Sequence, residues 1–163
     1  MACRGVYFAL TKEQEQKLFA AKTDDEVLSL VQEEIEAAWD EENLVETDKA
    51  WDAIHRCLTD GSLIVNGDDP LTLCVLGGRQ FHKGHLYIVS LKTSSQVAAV
   101  SAAVSSLDKK WFVKRFSTIA AAGYEGPADS GDFEYTWDWF EGVQDFYKKA
   151  AASGRSVIFT VDQ

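Results

Sequence analysis

One histidine and two carboxylates recur at helical spacing between residues 48 and 58. Asp48, Asp52 and His55 fall on adjacent turns of a predicted helix, where a carboxylate could orient the imidazole for general base catalysis. No serine or cysteine in a nucleophile pattern accompanies them. A structural interpretation is therefore favoured, in which Asp48 caps the helix and His55 is half-buried and bonded to a neighbour. Asp52 and His55 remain the candidate catalytic residues.

A second group that could bind a ligand is the run Gly77, Gly78 and Arg79. Two glycines allow close approach to backbone N–H groups, and the guanidinium, with Lys83 nearby, would favour an anionic ligand. Paired glycines after an apolar run more often form a turn, and neither glycine-rich phosphate-binding motif is present. These three residues are candidate ligand-binding residues, and with Asp52 and His55 they would line one pocket.

Histidine and cysteine, the preferred ligands of zinc, occur close together around residues 74–85. His82 and His85 could join Cys74 or Cys57 at a metal ion. However, no two cysteines have the CxxC spacing, and the pattern matches no familiar zinc site. The three cysteines are an odd number, and Cys57 and Cys74 lie in apolar contexts typical of reduced core cysteines. We expect free thiols, no bound metal and no cofactor.

The chain is strongly acidic, and its charge is unevenly distributed. Twenty-six acidic and 16 basic side chains give a net charge of -10, and residues 1–60 alone carry 15 acids against 6 bases. Nucleic acids and anionic membranes are bound through lysine and arginine, so this composition argues against both as partners. An acidic surface instead favours a basic protein partner, which it would steer into contact.

Two predicted helices carry acidic faces that could contact such a partner. In the helix after Thr23, Glu33 and Glu36 lie opposite the apolar side and are expected to face solvent. In the helix predicted over about residues 132–152, one stripe is charged and aromatic or apolar residues fill the remaining ~220°. That arc includes Trp139 and is wider than one packing contact normally covers. Glu33, Glu36 and Trp139 are the candidate partner-binding residues.

Capping and periodicity predict the elements that position these residues. Apolar and β-branched runs predict strands over residues 4–9, 85–91 and 156–161. The run 71–76 fits either a strand or a short helix. Thr47 or Asp48 is the predicted cap of the helix that ends at Leu58. Capping boxes are predicted at three other helix starts, at Thr11 with Gln14, Thr23 with Glu26 and Thr93 with Gln96.

Four stretches together resemble the YfbM-like family of bacterial proteins of unknown function. They are RGVYFALT (residues 4–11), DKAWDAIHRCLTDG (48–61), PLTLCVLGG (70–78) and FYKKAAASGRSVIFTV (146–161). Their order and spacing extend over nearly the whole chain. The resemblance implies a bacterial, cytosolic, compact α+β domain, and it carries over no catalytic residue.

These observations predict a single α+β domain over residues 1–163, with a small mixed or antiparallel sheet of about three strands covered by five or six helices. We find no signal peptide and no apolar run long enough for a membrane helix, so a cytoplasmic location is expected. The predicted function is non-enzymatic protein binding, of an immunity or adaptor type. The alternative is a small enzyme or an anionic-ligand-binding protein that uses the pocket near Asp52, His55 and Gly77 to Arg79.

Overall fold

Five antiparallel strands form one sheet in the computed structural model, which describes residues 3–82 and 86–162. The strand order is β2-β1-β5-β4-β3, and every neighbouring pair is antiparallel. The three predicted strands are present as β1, β4 and β5, while β2 and β3 are additional to them. The strands are β1 (Gly5–Ala9), β2 (Leu44–Asp48), β3 (Arg79–Gln80), β4 (Tyr87–Lys92) and β5 (Val157–Asp162).

Seven α-helices in the described residues cover this sheet, one or two more than predicted. The run 71–76, left open between strand and helix, contributes to the short helix α4. The helix α2 continues directly as a π-helical segment, Leu30–Glu36. The helices are α1 (Lys12–Ala20), α2 (Asp24–Ser29), α3 (Ala50–Leu58), α4 (Pro70–Leu73), α5 (Ser94–Ser105), α6 (Lys109–Ile119) and α7 (Ser130–Ala152).

Each face of the sheet buries its own hydrophobic core, because successive strand residues point to opposite sides. Tyr7 and Phe159 point to the face covered by α3 to α7. Phe8 and Ile158 point to the other face, which α1, α2 and the π-helical segment cover. The fold is therefore an α+β fold with helices on both sides of an antiparallel sheet. No helix of the described chain is both long and apolar enough to span a bilayer.

Helix α7 packs against α3, α5, α6 and β2, which explains its wide aromatic arc. Phe140 is 0% exposed and stacks on Phe112 with ring centroids 4.7 Å apart. Burying a side chain of this size contributes roughly 1.5–3 kcal/mol. Most of the arc is thus covered by the chain itself, and only Tyr135 and Trp139 keep appreciable exposure.

The capping predictions are confirmed at α1 and α5, where both hydrogen bonds of each capping box are present. Thr23 also caps α2, but the Glu26 carboxylate accepts from the N–H of Lys22 instead of completing a box. The predicted cap of α3 is wrong. Thr47 and Asp48 belong to strand β2, and Lys49 precedes the helix without a side-chain cap. The pairing of β2 with β1 includes Asp48, which is therefore part of the strand and does not cap the helix.

Candidate functional site

The proposed pairing of Asp52 with His55 does not form. His55 is 0% exposed, and its Nε2 lies 2.6 Å from the carbonyl oxygen of Ile64, which fits an Nε2–H donor. Burial disfavours the imidazolium and lowers the pKa of His55 to about 4. Asp52 instead accepts a hydrogen bond from Nε of Arg56 at 2.6 Å. His55 therefore anchors the loop after α3, more deeply buried than predicted.

The run from Gly77 to Arg79 serves packing around β3 and β4. The N–H of Gly77 donates to the carbonyl of Thr72 at 3.0 Å and is not free for an anion. Gly78 has φ +106°, and a Cβ there would lie 2.3 Å from the carbonyl oxygen of Leu91. The Arg79 guanidinium lies over two aromatic rings on the α1 side of the sheet, 4.5 and 4.9 Å from their centroids. These residues do not meet His55.

The residues considered for zinc do not converge in the part of the chain that the structure describes. His82 Nδ1 lies 2.6 Å from the carbonyl oxygen of Tyr87, and His85 falls outside the described residues. Burial raises the pKa of Cys57 and of Cys74 to about 12, which keeps both as neutral thiols. No group of three or more metal-binding side chains occurs in residues 3–82 and 86–162.

A pocket with a volume of about 600 Å³ lies beside helix α3. We call it the α3 pocket. Trp51, Tyr124 and Tyr135 supply its aromatic surface, and Asp52 lines it, whereas His55 and Gly77 to Arg79 do not. The pocket predicted from Asp52, His55 and the glycine run is thus divided among separate places in the fold.

Hydrogen bonds within the chain occupy most polar groups of the α3 pocket. Arg56, already bonded to Asp52, also donates from Nη1 to the carbonyls of Gly61 and Ala122 at 2.9 and 3.1 Å. Asp132 accepts from the hydroxyl of Tyr124 at 3.2 Å and from a backbone N–H at 2.9 Å. Burial and the Asp132 carboxylate raise the pKa of Tyr124. These contacts tie the pocket walls together.

An acidic groove lies between α1 and the continuous α2 and π-helical segment. Its volume is about 510 Å³, and its apolar surface includes Leu30. One basic residue lines it, Lys17, which pairs with Glu34 at 2.8 Å. Glu33 is exposed there, as predicted. Four carboxylates against one ammonium give the groove a net negative charge; the acidic residues are Asp25, Glu26, Glu33 and Glu34.

Glu36 does not face solvent freely, contrary to the prediction. Its Oε1 accepts hydrogen bonds from the hydroxyl of Tyr87 on β4 and, at 3.0 Å, from that of Thr160 on β5. The reason is local: the π-helical segment has wider turns than an α-helix, so the regular angular spacing used for the prediction does not hold there. Burial, followed by the bond to Glu36, raises the pKa of Tyr87, which keeps this phenol a donor.

A cleft of about 330 Å³ opens at Glu36, between the π-helical segment and the sheet. We call it the Glu36 cleft. Sequence reasoning missed its other members, because neither charge pattern nor helical spacing relates residues this far apart in the chain. Its lining residues are Arg4, Val6, Gln32, Glu36, Trp39, Tyr87, Thr160 and Asp162.

Trp139 is half-buried on the outer side of α7. Its ring packs edge-on against Tyr135, with centroids 6.3 Å apart. Tyr135 is 36% exposed, and its hydroxyl donates to Asp48 at 2.7 Å. These two rings are the part of the predicted aromatic surface of α7 that the protein's own core does not cover.

Fold and surface define an α+β protein with one acidic groove and two further concave surfaces, the α3 pocket and the Glu36 cleft. The described residues assemble no recognised catalytic group. The chain belongs to a family described as a domain of unknown function (DUF1877), whose sequence model matches residues 1–160. The crystal structure of YfbM, a protein of unknown function from Escherichia coli, is similar with a TM-score of 0.70. The two share 18% identity over 97% of this chain and 99% of that one, a likeness that shows the fold. No curated protein matches the chain.

Proposed function

We propose that this chain is a non-enzymatic binding domain that captures a basic protein partner on its acidic groove. The observation that carries the proposal is the groove itself, a concave surface with four carboxylates, one lysine and an apolar floor. Such a surface combines electrostatic attraction with apolar area for contact. We place this adaptor-like or immunity-like function in the bacterial cytoplasm, where three free cysteines would stay reduced.

The proposal gains support from the small number of internal ion pairs. Five are found in the described residues, and they involve only four of the 15 acidic side chains of residues 1–60, namely Glu13, Glu34, Glu46 and Asp52. Asp25, Glu26 and Glu33 of the groove make no ion pair with a described residue. Their charge is available to steer a basic protein, a long-range effect that raises the association rate more than the lifetime of the complex.

The alternative, a small enzyme or anionic-ligand-binding protein, draws less support. Asp52 lines the α3 pocket without His55 or Arg79, and Asp52 is engaged by Arg56. Lys49, the other basic residue of that pocket, would have to act beside the Asp132 and Glu125 carboxylates, which oppose binding of an anion. We therefore rank protein binding first.

Paired charge reversals test the proposal. The tagged wild-type chain and an Asp25→Lys/Glu33→Lys variant would be compared for capture of proteins from the native host, followed by association kinetics with each purified candidate. We expect a basic partner, an association rate at least about tenfold lower for the variant, and strong weakening between about 50 and about 500 mM salt.

The matched control is Glu141→Lys/Asp145→Lys, which makes the same charge change on the exposed stripe of α7, away from the groove. It should slow association much less than the groove variant. Partners that are acidic, binding that ignores salt, or equal effects of the two variants would each contradict the proposal.

A further inference from the structure

We propose that the Glu36 cleft is an anchor site for one lysine or arginine side chain. This inference rests on the proposed function, because the side chain would belong to the basic partner that lies on the acidic groove. The two surfaces share one element, since Glu33 of the groove and Glu36 of the cleft lie on the same π-helical segment. Segments of this kind occur frequently at functional sites.

The Glu36 carboxylate is positioned before any ligand arrives. Two hydroxyl groups from neighbouring strands, of Tyr87 and Thr160, donate to the same oxygen, Oε1. The second oxygen, Oε2, has no hydrogen-bond partner among the described residues, and none of their basic side chains forms an ion pair with Glu36. One oxygen thus fixes the orientation, and the other remains available to a donor.

Trp39 forms an aromatic side of the cleft that suits a cation. The Arg4 guanidinium already lies 5.4 Å from the centre of its ring, so this ring interacts with a cation of the chain itself. Arg4 itself is ion-paired with Glu46, so its charge is already balanced. Trp39 has φ +43°, a backbone conformation unusual for a bulky residue, and Phe8 of the same hydrophobic core packs edge-on against its ring.

Size and charge select the same kind of occupant. A volume of about 330 Å³ is at the small end for ligand sites and suits a single long side chain. Val6 offers apolar surface to an aliphatic stem, while Glu36 and the exposed Asp162 place two carboxylates at the cleft. Arg4, the cleft's one basic residue, is bound to Glu46. A neutral side chain would leave Oε2 of Glu36 without a charged partner.

The experiment uses three small probes that differ only in their side chain: the N-acetyl methylamides of lysine, arginine and norleucine. Binding is followed by two-dimensional NMR at the indole N–H of Trp39, which a Trp39→Phe variant assigns. We expect saturable shifts with lysine or arginine, with a Kd of about 1–10 mM, and no comparable shift with norleucine. Equal shifts with norleucine, or none with either cation, would overturn the inference.

Two neutral substitutions locate the interaction. Glu36→Gln keeps an oxygen acceptor for Tyr87 and Thr160 while it removes the charge, and it should weaken probe binding at least about tenfold. Glu141→Gln removes the same charge from the exposed stripe of α7, outside the cleft and the groove, and should leave probe binding unchanged. An unchanged Kd for Glu36→Gln would overturn the inference, and the norleucine comparison decides it without any variant.

The probes contain no partner protein, so they separate the two proposals. Probe binding together with failure of the groove variants to affect capture would reject the basic partner and retain a cation site in the cleft. Absence of probe binding together with loss of capture in the groove variants would support the basic partner and reject its anchor in the cleft.

Discussion

Replacing Lys92 by methionine should remove a rise in stability between neutral and mildly alkaline pH. Lys92 is completely buried in strand β4, where its Nζ donates to the carbonyl of Val75 at 2.5 Å and to the hydroxyl of Ser90 at 2.6 Å. No described carboxylate forms an ion pair with it. Burial therefore lowers the pKa of Lys92 to about 7, from an ordinary value of 10.5.

The sign and size of the effect follow from proton linkage. Above pH 7 the folded protein releases the Lys92 proton, whereas the unfolded chain keeps it up to about pH 10.5. The unfolded state binds more protons in this interval, so the free energy of unfolding increases with pH. The slope is about 0.7 kcal/mol per pH unit at pH 7, where half of the proton is released, and approaches about 1.4 above it, which amounts to about 1.6 kcal/mol between pH 7 and about pH 8.5.

The comparison stops at about pH 8.5 because, at higher pH, the buried thiols change stability in the opposite direction to Lys92. The pKa of Cys57 and of Cys74 is raised from 9 to about 12 on folding. Above about pH 9 the unfolded thiols lose protons that the folded ones keep, so they lower stability as pH rises. Below that pH the contribution of Lys92 is separated from theirs.

Urea unfolding of the wild type and Lys92→Met at both pH values measures the effect. Methionine has similar length and no charge, and Ser90 still donates to the Val75 carbonyl at 3.2 Å. Any cost of the substitution in packing or lost hydrogen bonds is the same at both pH values and cancels in the comparison. We expect the wild type to gain about 1.6 kcal/mol more than the variant. Parallel changes in the two proteins would refute the argument.

Three further predictions concern the core, a tight turn and the thiols. Phe140→Ala should lower the free energy of unfolding by about 3–5 kcal/mol. Asp138→Ala, on the exposed stripe of α7, should change it by less than about 0.5 kcal/mol. Similar losses in the two variants would contradict the packing of α7. Gly78→Ala should destabilise the protein far more than Gly67→Ala. Both glycines have positive φ, but only at Gly78 would the new Cβ clash with the backbone. Thermal unfolding of the two variants under the same conditions measures the difference. The two buried cysteines should react with a thiol reagent only after unfolding; rapid reaction of all three thiols in the folded protein would count against their burial.

The strands that the sequence predicts are those whose own residues are buried. Strands β1, β4 and β5 are apolar and β-branched, and five of the six residues of β5 are buried. Strand β2 was missed because its LVETD sequence is only half-buried at the edge of the sheet and contains two acids. Strand β3 has only two residues and is defined by its pairing with β4. This pairing could not be predicted from the local sequence.

The candidate site was less predictable because its geometry depends on distant contacts. Exposure of Glu33 could be predicted from helical spacing, since that residue projects from the outer side of its helix. The environment of Glu36 could not, because its two partners lie 51 and 124 residues further along the chain. Asp52 and His55 likewise have helical spacing in the sequence but do not bond to each other. Asp52 bonds to Arg56, and His55 bonds to the carbonyl of Ile64.

The position of β5 in the middle of the sheet determines how this fold can be assembled during synthesis. Strand β5 pairs with β1 on one side and with β4 on the other. Before residues 157–162 have left the ribosome, the sheet can consist only of two separate strand pairs, β1 with β2 and β3 with β4. Isolated strand pairs are marginally stable. Until β5 joins them, the edges of β1 and β4 that it will cover are open, and open strand edges can pair with other chains.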